Sequence, residues 1–147
     1  MTLSTWPRLA IAAGILFAPP AMAQAPSARA EFERLGLLGH HSIDCIKPAS
    51  NSNGYIFYRP LDAKRVQRDT MIGPDKRLFV SVAETATAAG NEIVVSGTAD
   101  GKPLLYTLRI DGKRHRVTQW TEGGNTSVVD SIWIERKSTM PWLTRCS

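Results

Sequence analysis

The sequence predicts an all-β fold: an antiparallel meander of about eight strands closing into a barrel, with one short N-terminal helix. Three observations carry this. Short β-rich runs recur along the chain, split by turn residues, and from Leu78 onward run and turn alternate about every 11–14 residues. Two Asp-Gly pairs, Asp100-Gly101 and Asp111-Gly112, stand between alternating runs. Asp-Gly is a tight-hairpin signal, because both central positions of a type I′ turn need φ > 0. No helical pattern is long enough for a crossover, which argues against parallel pairing.

The helix is expected over Arg29–Leu38. Phe32, Leu35 and Leu38 form one apolar stripe among Glu31, Glu33 and Arg34, with Gly39 as the stop. Strand runs then follow at 42–45, 55–59, 65–72, 78–84, 92–98, 104–110, 114–120 and 128–135. Alternation assigns Leu78, Val80, Val82, Ile93, Val95, Leu104, Tyr106 and Leu108 to the interior, with Val128, Ile132 and Ile134 from the last run. Ser81, Ser96, Thr98, Thr107 and Arg109 then face water. Phe79 and Trp133 also face outward, under the helix or the C-terminal tail.

Residues 1–23 read as an export signal. Arg8 supplies the positive start, Leu9–Ala18 the apolar run and Ala21-Met22-Ala23 the cleavage pattern. The apolar run is too short to span a bilayer, and no second long one exists, so no membrane span is expected. The expected location is periplasmic or secreted. Residues 24–28 form a flexible Pro/Ala/Ser lead-in, and 29–147 a single barrel-like domain.

Two cysteines, Cys45 and Cys146, flank nearly the whole β region. An even pair in an exported chain implies a disulfide. A free thiol or a metal thiolate is the alternative, with no Cys-x-x-Cys and no histidine at ligand spacing to favour it. A bond here would tie the first strand to the C-terminal tail.

The segment Leu35-Gly36-Leu37-Leu38-Gly39-His40-His41-Ser42-Ile43-Asp44-Cys45 resembles the opening of the lipocalin-like (calycin-type) barrels, where a Gly-x-Trp motif closes the barrel floor. Gly39 is present, but His41 stands in place of the tryptophan. The chain is also similar to uncharacterised exported proteins of proteobacteria with a Gly-Leu-Leu-Gly…Asp-Cys opening. The lipocalin-like resemblance implies binding of small apolar or amphiphilic molecules, although fold alone does not set function.

No residue set compels catalysis. His40, His41 and Asp44 are the best polar cluster, yet adjacent strand residues point to opposite faces. No Glu-x-x-His or His-x-x-x-His spacing supports zinc, and no Gly-x-Ser-x-Gly elbow exists. No catalytic residue, metal or cofactor is therefore expected. The net charge of +5 is mild. In the basic runs Lys113-Arg114-His115-Arg116 and Lys64-Arg65 with Arg68, the arginines at alternating positions read as a solvated outer face. They exclude nucleic acid as the expected partner and leave an anionic envelope component open.

The resulting expectation is an exported, non-catalytic binding protein for a small hydrophobic or amphiphilic ligand. Leu104, Tyr106, Leu108, Val80, Val95 and Ile132 are the expected lining, and the Tyr106 hydroxyl orients the ligand. The alternative is an envelope interaction or inhibitor-type protein with a filled barrel and an external binding face. About eight strands leave either a filled core or room for one small ligand.

Overall fold

The computed structural model describes residues 24–146; the expected export signal lies outside them. The helix α1 spans Ala28–Arg34. Ser27 caps its start, its hydroxyl accepting from the Ala30 amide at 3.3 Å. It ends one turn before the expected Gly39. Gly36 takes φ 66°, its amide donates to Glu33 O, and the Leu37 amide reaches back to Phe32 O. That pair of bonds is a complete Schellman stop, which needs the left-handed residue at Gly36.

Eleven strands follow among the described residues. They are β1 Gly39–Ser42, β2 Tyr55–Pro60, β3 Val66–Met71, β4 Arg77–Ala89, β5 Glu92–Ala99, β6 Lys102–Asp111, β7 Arg114–Glu122, β8 Asn125–Val129, β9 Ile132–Trp133, β10 Ser138–Thr139 and β11 Leu143–Arg145. Every pairing is antiparallel. The order β7-β11-β1-β2-β3-β4-β5-β6, with β6 back on β7, closes an eight-stranded barrel. Strands β8 to β10 extend from it beyond β7.

The eighth member of the ring departs from expectation. The 128–135 run does not close the barrel. Asp130 and Ser131 take φ of 50° and 65°, which break it into a β8–β9 hairpin. The ring is closed by β11, three residues long, between β7 and β1. The Cys45–Cys146 disulfide, Cα–Cα 5.5 Å, holds that short strand in place.

Helix α1 covers one end of the barrel. The Ala86 amide donates to Pro26 O, the Arg29 amide to Lys64 O, and Ser27 bridges Thr85. Phe32 is fully buried and meets the Tyr58 ring edge-on at 5.1 Å. An aromatic group entering from the helix needs small residues opposite it, and β4 supplies Ser81, Ala83 and Ala86. The inward set of β4 is therefore Phe79, Ser81 and Ala83, one residue out of step with the expected Leu78, Val80 and Val82. Leu78 is 62 % exposed, and Val80 lies on the outer face beside Asp69. Phe79 points inward and packs edge-on against Trp120 at 5.5 Å. Trp133 is half-buried, with the Arg136 guanidinium 4.4 Å from its ring centre.

Candidate functional site

Alternation along β2, β3, β6 and β7 turns a set of polar groups into the barrel. Tyr58 pairs with Arg68 across β2–β3, and Arg68 with Ser81 across β3–β4, so all three share the inner face. Tyr106 lies opposite Trp120 and stacks on it at 5.0 Å. His41 enters from β1 and His115 from β7, their rings edge-to-face at 4.6 Å. Tyr58 Oη lies 3.3 Å from His115 Nε2. His41 Nε2 donates to Leu37 O at 2.9 Å, which leaves Nδ1 as the unprotonated nitrogen of the neutral ring. Tyr58, Tyr106, Phe32, Ile93, Leu108, His41 and His115 are all fully buried, so large side chains occupy the barrel axis.

Burial dominates the titration of these groups. It pushes both tyrosine hydroxyls up. It pushes His41 down, and it takes His115 down to about 3, with His41 and Arg68 adding to the effect. Native His115 therefore stays neutral where an unfolded histidine protonates, below about 6.5. The unfolded state binds more protons between those values. Stability should thus fall as pH drops from about 6.5 towards 3, by about 1.4 kcal/mol per pH unit for His115, with His41 adding in the same direction. Urea midpoints at about pH 7 and pH 4.5 check this. His115→Phe should flatten part of the slope, and an unchanged slope in that variant would contradict the assignment.

The chain also forms a cleft of about 440 Å³ where the turn after α1, the β6–β7 turn and the end of β11 meet. Leu35 and Leu37 give it an apolar floor, and His41 joins it to the interior. Lys113, Arg114 and Arg145 line the rest, and no carboxylate does. Arg145 Nη1 donates to Gly36 O at 3.2 Å, which fixes the guanidinium over the helix stop. Asp111 pairs with Arg114 at the rim. Beside the cleft, Arg114 and Arg116 both lie over the Trp142 ring, at 5.2 and 4.6 Å. A smaller hollow of about 220 Å³ near Glu92, Arg109 and Ser131 is almost wholly polar.

The expected lining residues divide. Leu104, Tyr106, Leu108 and Val95 are in the core, at most 3 % exposed. Val80 and Ile132 are not; Ile132 is 41 % exposed on the β9 extension. The Tyr106 hydroxyl is buried with no hydrogen-bond partner. His40 and His41 face opposite ways, as alternation requires: His40 stacks on Phe57 at 4.7 Å on the outer face. Asp44 accepts from the Ile46 amide and pairs with Lys47. Among the described residues no cluster of three or more His, Cys, Asp or Glu could hold a metal ion.

The sequence pattern puts Arg68 on a solvated outer face with the other arginines, which the register overturns, and it assigns Tyr58 and His115 to neither face. The available signal was Val66. Taking that residue as inward places Arg68 and Thr70 inward as well. No helix of the described residues is long and apolar enough to cross a membrane. No family model, curated protein or solved structure matches the chain.

Proposed function

We propose that this chain is an exported, non-catalytic binding protein for a small amphiphile with an anionic head, held at the mouth of the barrel. The observation that carries the reading is the cleft of about 440 Å³ with Leu35 and Leu37 as floor and Lys113, Arg114 and Arg145 as walls. That volume falls in the usual range for small-molecule sites. Lys113 and Arg145 have no carboxylate partner among the described residues, Arg114 being paired with Asp111 at the rim, and two such cations raise the local concentration of anions. The large side chains along the barrel axis move the expected site from the interior to its mouth. His41, His115 and Tyr58 sit in packed surroundings, which supports binding over acid–base chemistry. The disulfide suits an oxidising compartment, and the lipocalin-like resemblance suits an amphiphilic ligand.

Titration with dodecyl phosphate, against uncharged dodecyl maltoside, tests the reading below the micelle-forming concentrations. Dodecyl phosphate should bind and shift the emission of Trp142, which lies under Arg114. The neutral head should bind on the order of tenfold more weakly, about 1.4 kcal/mol. Lys113→Gln combined with Arg145→Gln should cost a similar factor. Equal binding of both amphiphiles, or none of either, would remove the proposal. The Arg114–Trp142–Arg116 stack favours a second reading, an anionic envelope component on the outer face. Under that reading Arg116→Gln should weaken binding and the cleft variants should not.

A further inference from the structure

Arg68 lies deep in the barrel, 8 % exposed, reaching toward the end remote from α1 where Thr70, Phe79 and Trp120 sit. Its Nη1 donates to Thr70 Oγ1 at 2.8 Å, and its guanidinium lies 5.1 Å from the Trp120 ring centre. Its Nε has no partner. Ser81, directly across from it on β4, has a buried hydroxyl with no partner. Tyr106, stacked on Trp120, has another.

No carboxylate answers this charge among the described residues. The adjacent Asp69 points to the other face of β3, where it pairs with Arg77 at 3.3 Å and Arg59 at 3.8 Å and accepts from Gln67. An enclosed guanidinium without a counter-charge is costly, and stacking on an indole offsets only part of that cost. The unanswered groups can all donate: a guanidinium N–H and two hydroxyls. What they lack is one negatively charged acceptor.

We propose that the barrel binds a small monovalent anion against Arg68, with Ser81 and Tyr106 as further donors. The shared chemistry is a compact single negative charge, supplied by chloride or by the carboxylate of a small organic acid. The site is at the opposite end from the amphiphile cleft and does not depend on it.

The test is the melting temperature of the full chain in sodium chloride, sodium acetate and sodium gluconate at one ionic strength. Gluconate, a much bulkier anion, serves as the reference. Chloride, acetate or both should raise the melting temperature in a saturable way, and the effective salt identifies the source. At about ten times the dissociation constant, the folding equilibrium should shift about tenfold. Arg68→Met, close in length and uncharged, should fold and lose the response. Ser81→Ala should weaken the anion several-fold while keeping the charge. If Arg68→Met fails to fold, Tyr106→Phe provides the same comparison, with a weakened response expected. Equal melting in all three salts would mean that water alone fills the site, and would overturn the proposal. An unchanged response in Arg68→Met would place the anion elsewhere and overturn it equally.

Discussion

Replacing Gly97 with alanine should destabilise the protein by about 3 kcal/mol or more, although it adds only a methyl group. A Cβ at this position would lie 1.9 Å from Val82 O, 2.9 Å from the Val82 carbonyl carbon and 3.0 Å from Ala83 Cα. All three are backbone atoms, so no rotamer change relieves the clash. The crowding has a structural cause. Gly97 faces Ala83, next to the point where the β4–β5 register shifts between Ala83 and Thr85. That bulge bends the long strand β4 so that it can curl around the barrel and receive α1. The substitution must push β5 away from β4 or undo the bulge. Urea denaturation should show a lower midpoint for Gly97→Ala. Gly101→Ala, where the added methyl meets nothing within 4 Å but φ is 74°, should cost about 1 kcal/mol. Equal midpoints for the two variants would contradict the close approach.

Removing the disulfide should have an effect of similar size. Cys45 and Cys146 are 101 residues apart, so Cys45→Ala releases a very long loop. Chain-entropy reasoning gives about 4–5 kcal/mol for such a closure, and losses of about 2–5 kcal/mol are typical. The effect should also be local. Strand β11 has two register pairs to each neighbour, His41–Arg145 and Ser42–Thr144 on one side, Leu143–His115 and Thr144–Arg114 on the other. Without its anchor this strand should fray first and open the seam between β1 and β7. Hydrogen exchange should then rise at His41 and His115 before it rises in β5 or β6. Uniform acceleration across the sheet would contradict this account of the seam.

The sequence made the hairpin half of the barrel legible. Asp100-Gly101 forms the expected tight turn, with φ of 48° and 74°. The second Asp-Gly pair turns differently. Asp111 ends β6, and Gly112, at φ 58°, takes the first central position with Lys113 after it. That is the type II′ pattern, which asks for glycine at the first position. Burial of Ile93, Val95, Leu104, Tyr106 and Leu108 also followed from alternation.

The face of β4 did not follow. Leu78, Val80 and Val82 look like a core set, yet the core here needed small residues to receive Phe32 and Tyr58. β-branched residues suit a strand on either face, so they do not by themselves report which face is buried. Strand β11 was invisible because Leu-Thr-Arg carries no alternation; only the cysteine pairing pointed to its place. Arg68 was hidden by its charge. A lone arginine reads as surface, and its place inside comes from alternation with Val66 and from the register with Tyr58 and Ser81. The cleft joins Leu35, Lys113 and Arg145, which are far apart in sequence, so no local motif could display it.

Backbone amide shifts in an NMR titration with dodecyl phosphate test the central claim most directly. Binding at the barrel mouth predicts saturable shifts concentrated at Leu35–Leu37, Gly112–Arg114 and Arg145, with little change along β4 and β5. Shifts centred on the outer faces of β4 and β5, or none at saturating ligand, would contradict it.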